Sequence, residues 1–192
     1  MKTLYASAFE AANKVLTYTS RGTDGFVESQ SIINAVKSIS GYSNIGLNIQ
    51  SFKSLDCNDA ISLLSVNKKD GEYSARILIN SDVPPKMQRF ALAHELGHIL
   101  TNAIDLDYIT PNDGKFTISS MVSSDITLIS NDQSSENKFI LAEQLANIFA
   151  ILVLVPDTMN IKTLSSVDID TLLSRYGVTS ETIYSKLILD NI

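Results

Sequence analysis

The stretch Phe90-Ala-Leu-Ala-His94-Glu95-Leu-Gly97-His98-Ile-Leu100 decides how this chain is read. It follows Pro84-Pro85, and proline suits a first helical turn, whose N–H groups have no intrahelical partner. The pattern predicts a helix from about Lys86 to Asn102. On such a helix His94 and His98 lie one turn apart on the same face, so both imidazoles can bind one metal ion. Glu95 sits about 100° round the axis, near enough to reach a water beside that metal without ligating it. Phe90, Ala93, Gly97 and Leu100 form a core stripe opposite the histidines. Gly97 is the odd member, since glycine costs about 1 kcal/mol relative to alanine in a helix interior. A missing side chain there lets another helix come close beside the metal.

The chain has only these two histidines. Two histidines placed at random fall four apart about 1% of the time, and a neighbouring glutamate lowers that to roughly 1 in 2,500. Any chemistry that needs imidazole must use His94 or His98.

Composition narrows the rest. The chain has 192 residues, 44% hydrophobic and 19% charged, with one cysteine and no tryptophan. That excludes disordered, collagenous and disulfide-scaffold classes and fits one domain with a real core. Cys57 alone cannot form an internal disulfide, so nothing requires an oxidising compartment. The net charge of −6 argues against direct nucleic-acid binding, which needs a concentrated basic field. Glu10 interrupts the apolar N-terminal stretch, unlike the core of a secretory signal. The longest apolar run, Ile148 to Val155, is far below the roughly 20 residues of a membrane span. The expectation is a cytoplasmic protein with no membrane partner.

Around the motif the pattern predicts an α+β fold. Residues 1–20 read as a weak helix. Ser29 to Ser40 reads as a stronger one, with Ile32, Ile33, Val36 and Ile39 on one face and Gly41 as its stop. Strands follow where Leu47 and Ile49 alternate with polar residues, over the apolar run Ile61 to Val66, and where Ala75, Ile77 and Ile79 alternate. Lys69-Asp70-Gly71 is turn chemistry and predicts a hairpin between the last two. The expectation is a small antiparallel sheet of three strands. Residues 103–135 read as a long irregular loop with apolar islands such as Ile126 to Ile129. A long helix is expected from Ser135 to Val155, before Pro156, with further helices over Val167–Tyr176 and Ser180–Asp190.

A catalytic zinc site needs three protein ligands and an open position. Histidine cannot supply the third, and Thr101 and Ile104 stand where the extended metzincin pattern needs Gly and His. Cys57 reads better as a small buried apolar residue. Glu136 falls in the first turn of the 135–155 helix, where a carboxylate simply suits the helix dipole. Glu143 is enclosed by Leu141, Ala142, Leu145, Ala146 and Phe149, and a carboxylate so placed needs a charged partner. Glu143 is therefore the preferred third ligand. Asn147, one turn further on, is positioned to orient a ligand.

Taken together, these residues resemble the ImmA/IrrE family of zinc metallopeptidases. The likeness rests on Arg76-Ile-Leu-Ile-Asn80, on Gln88 to Leu100, on Glu143-Gln-Leu-Ala-Asn-Ile-Phe-Ala150, on Leu154-Val-Pro156 and on Tyr176-Gly-Val-Thr-Ser-Glu181 in the tail. The resemblance, over roughly residues 30–190, implies a three-stranded sheet packed on a helical zinc-peptidase core. The expected organisation is a zincin-like domain over 1–160 with a small C-terminal helical segment over 161–192 packed on it. It implies Zn2+ held by His94, His98 and Glu143, a gluzincin-like set, with Glu95 as general base. It also implies a protein substrate, typically a helix-turn-helix repressor encoded nearby in mobile elements or stress responses. Thr101-Asn102 stand where many members carry another histidine. The donor to the developing oxyanion must then be a Tyr, Arg, Lys or backbone N–H, with Tyr108 a candidate. Peptide added as an extra strand beside the sheet is a further expectation. The alternative is a non-proteolytic antirepressor or toxin–antitoxin partner with a structural zinc site, which would need four protein ligands.

Overall fold

A computed structural model describes residues 6–23, 25–53, 60–101, 116–120 and 135–155. Helix α1 spans Ala6–Tyr18 and α2 spans Ser29–Ser40. Gly41 ends α2 in the left-handed region at φ 72°, returning its N–H to Lys37 O, a cap that glycine adopts without a Cβ penalty. Strands β1 (Asn44–Gln50), β2 (Ser62–Lys69) and β3 (Glu72–Asn80) precede α3 (Pro85–Leu100). Strand β4 (Phe116–Ser120) and α4 (Ser135–Leu154) complete the described elements.

The expected hairpin joins β2 to β3. Lys69 faces Glu72 across a two-residue turn, with Asp70 at φ 53° and Gly71 at φ 85°. Positive φ at both central residues is the twist-matched turn that Asp-Gly favours.

Two features differ from the antiparallel three-stranded sheet expected. Strand β1 runs parallel to β3, from Asn44 opposite Ser74 to Gln50 opposite Asn80, so the sheet is mixed. Strand β4 pairs antiparallel with the other edge of β2, from Phe116 opposite Val66 to Ser120 opposite Ser62. Among the described residues the order is therefore β1-β3-β2-β4. Alternation reports which face a side chain takes, not which strand lies beside it or in which direction. The class remains α+β.

The inward faces of the strands contribute Ile45, Leu64, Val66, Ala75, Ile77 and Ile79 to the main core. On the other face Phe52, Ala60 and Leu63 form a smaller cluster against Leu78. Helix α3 lies on the main-core face of the sheet, packed on β2 and β3 and against α2 and α4. Every residue from Phe90 to Ile99 is buried, so α3 is enclosed all round rather than on one stripe. Phe90, Leu92, Leu96 and Ile99 hold it inside, each contributing about 1.5–3 kcal/mol on burial. That apolar majority carries His94, Glu95 and His98 into the interior with it.

Two contacts place α4. A Cβ built on Gly97 would lie 2.9 Å from Ala146 Cα and 3.0 Å from both Ala146 O and Phe149 Cδ1, so the glycine permits the close approach expected of it. It does so on the α4-facing side that it shares with His94 and His98, rather than opposite them. At the far end, Arg21 reaches from the α1–α2 connection to the last carbonyls of α4. Its Nη1 donates to Leu154 O at 2.9 Å, and its Nη2 donates to Val153 O at 3.0 Å and Val155 O at 2.7 Å. Terminal carbonyls lack intrahelical partners, and a cation there also complements the helix dipole.

No helix among the described residues is long and apolar enough to cross a membrane. Cys57, residues 102–115 (Tyr108 among them) and 121–134, the tail helices over 167–190 and the division at 160/161 lie outside the described residues.

Candidate metal centre

Helix α3 presents His94 and His98 on one face, and α4 crosses opposite with Glu143. Close packing at Gly97 sets how near the two helices come, and Glu143 lies one turn before Ala146, on the same side of α4. His94 Nε2 and His98 Nε2 stand 3.0 Å apart, with the rings edge to face at 4.6 Å between centroids. Glu143 Oε2 lies 3.3 Å from His94 Nε2, and Glu143 Oε1 lies 3.2 Å from His98 Nε2. One ligand atom from each of the three residues falls within 4.8 Å of the others. Both imidazoles are fully buried, while the Glu143 side chain keeps 17% exposure. Solvent thus meets the cluster at its carboxylate side.

Asn147 fixes one of these rings. His94 Nδ1 is 2.8 Å from Asn147 Oδ1, and an amide oxygen only accepts. His94 Nδ1–H therefore donates to Asn147, and Nε2 is the atom turned toward Glu143 and His98, able to ligate a metal once deprotonated. Orienting a ligating imidazole through its other nitrogen is a usual requirement of metal sites. The role read for Asn147 from its spacing matches this placement.

The arrangement favours positive charge at its centre. Burial opposes a charged His94, yet the Glu143 carboxylate, backed by Glu95 and Asn147, holds its pKa above the ordinary imidazole value. Burial pushes Glu143 upward, but the hydrogen bonds and charges of His94 and His98 outweigh it and hold the carboxyl far below the usual range. Two nitrogens and a carboxylate directed at one point, with one of the nitrogens held inward by Asn147, form a donor set that suits Zn2+. The residues fit such a metal.

Glu95, the expected general base, is fully buried beside the histidines. Its Oε1 accepts a hydrogen bond of 2.7 Å from Ser62 Oγ. Ser62 is a site residue that the sequence reading passed over. Its signal was parity: Ser62, Leu64 and Val66 share the inward face of β2, so a serine stands where the core pattern calls for an apolar residue.

Residues 52–117, about a third of the chain, match the family model Peptidase_M78, the IrrE N-terminal-like domain. The match agrees with the resemblance to the ImmA/IrrE family and points to hydrolysis of peptide bonds. It spans His94, Glu95 and His98 and ends before Glu143, which the geometry of the cluster brings to them. No curated protein matches the chain.

Proposed function

We propose that this protein is a zinc-dependent endopeptidase whose substrate is a helix-turn-helix repressor. The observation that carries the reading is the convergence of His94, His98 and Glu143 within 4.8 Å, with the buried Glu95 carboxylate next along the same helix. The family match over 52–117 supports the peptidase chemistry. The choice of a repressor rests on the family resemblance, and the net charge of −6 suits a protein that acts on a partner rather than on DNA.

In this reading His94, His98 and Glu143 hold the metal and Asn147 orients His94. Bound zinc supplies Lewis acidity and lowers the pKa of water at the site to about 7. Glu95 takes a proton from the attacking water and returns it to the leaving amine. Helices α3 and α4 hold these groups on packed backbone, which preserves their mutual geometry through the reaction. Strand β4 lies at the edge of the described sheet, next to the β2 residue that touches Glu95. It offers main-chain groups against which an extended peptide can align.

The test combines the purified protein with the helix-turn-helix repressor encoded beside its gene, with zinc or with chelator. Cleavage that chelator stops, and that Glu95→Gln abolishes while retaining zinc, supports the proposal. Stoichiometric binding of the repressor without cleavage, under every metal condition, replaces it with a docking module. Full activity in Glu95→Gln refutes the assigned base.

A further inference from the structure

Glu95 has three side-chain torsions and must still present one oxygen to a water in a fixed direction. Proton transfer is efficient only when donor and acceptor are held within hydrogen-bond reach. Its helix alone does not provide that, because it fixes only where the side chain of position 95 starts, about 100° from His94 and about 60° from His98. What the structure supplies instead is Ser62.

Ser62 Oγ donates to Glu95 Oε1 at 2.7 Å, and both residues are fully buried. The serine opens β2, where its neighbours are fixed on both sides: Ile79 of β3 and Ser120 of β4 sit opposite it in the register. Its Oγ therefore projects from backbone tied into the sheet twice over. On the same inward face Leu64 and Val66 are packed in the apolar core, so a hydroxyl at position 62 has a role that packing alone would not call for. A buried carboxylate needs hydrogen-bond donors, and a donor on a sheet strand fixes the carboxylate relative to the sheet as well as to its own helix.

We infer that Ser62 is a positioning residue for the general base, holding Glu95 Oε1 so that Oε2 handles the proton. This rests on the proposed zinc-peptidase function, since only there does the direction of Oε2 matter. Ser62 acts wholly through Glu95, so removing it has no consequence once Glu95 can no longer accept a proton. That separates positioning from a general contribution to packing, whose effect would persist in any background.

The experiment uses the zinc-loaded full chain and acetohydroxamate, a zinc-chelating probe whose acidic proton passes to a neighbouring carboxylate. Zinc affinity is measured by chelator competition and hydroxamate affinity by calorimetry, for wild type, Ser62→Ala, Glu95→Gln and the double variant. Ser62→Ala is expected to hold zinc within about twofold of wild type and to bind hydroxamate about tenfold more weakly. The double variant is expected to match Glu95→Gln. If Ser62→Ala binds hydroxamate like wild type, loses zinc along with it, or weakens binding further in the Glu95→Gln background, the inference is overturned while the proposed function stands. A wild type that binds zinc but no hydroxamate, or no zinc at all, overturns the proposed function and this role together.

Discussion

Replacing Gly97 with alanine puts a methyl group where α4 already stands. The added Cβ would lie 2.9 Å from Ala146 Cα and 3.0 Å from Ala146 O and Phe149 Cδ1, against an ordinary carbon contact of about 3.5–4.0 Å. Phe149 can rotate aside, but the other two atoms are backbone. Helix α4 must therefore retreat by roughly 0.5–1 Å at that level. Two terms then compete in stability. Alanine gains about 1 kcal/mol in helix propensity, while overpacking a tight core costs about 1–3 kcal/mol. The net loss is about 0–2 kcal/mol, or a fall in Tm of at most about 8 °C for a chain of this size. The centre is far less forgiving, because metal–ligand distances hold to within about 0.2 Å and Glu143 and Asn147 both ride on α4. Gly97→Ala should thus lower zinc affinity at least about tenfold with little unfolding. Chelator competition read beside thermal melting measures both quantities. Wild-type zinc affinity with an unchanged or raised Tm would show that the helix approach does not set the site.

Further perturbations bear on the same geometry. Asn147→Ala leaves His94 Nδ1 without its 2.8 Å acceptor and should weaken zinc binding about 10- to 100-fold. Chelator competition checks this, and unchanged affinity would remove Asn147 from the site. Arg21→Ala frees the three carbonyls at the end of α4 and should cost about 2 kcal/mol in urea unfolding, whereas a loss under about 0.5 kcal/mol would make the clamp incidental. Zinc affinity should fall with acidification, because bound histidine must be deprotonated. His94 is held above the ordinary value near pH 6.5, so protons begin to compete at a pH above that figure and the metal is lost as pH falls further. An affinity that stays level between about pH 8 and 5 contradicts imidazole ligation.

What could be read from the amino-acid order follows from how local each feature is. Pro84-Pro85 marks the start of α3, Gly41 the stop of α2 and Pro156 the stop of α4, and the Asp70-Gly71 turn dictates its hairpin. His94 and His98 are related by helical spacing alone. Glu143 was legible because a carboxylate enclosed by apolar neighbours calls for a charged partner, and Gly97 because glycine is costly inside a helix. The direction of β1 was not legible, since a parallel and an antiparallel strand alternate alike. Strand β4, five residues within a long polar stretch, has partners fifty or more positions away in the chain. Ser62 meets Glu95 across 33 residues, and Arg21 meets α4 across more than 130. Such contacts belong to the packing of elements and leave only faint local traces, such as a polar residue at an inward strand position.

The metal centre depends most on Glu143 joining two histidines from a separate helix. Its direct measurement is the zinc content and affinity of the purified chain before and after Glu143→Ala. One zinc per wild-type chain, and affinity lowered at least about tenfold in the variant, is the predicted result. Stoichiometric zinc held at wild-type affinity by Glu143→Ala would contradict the site as described.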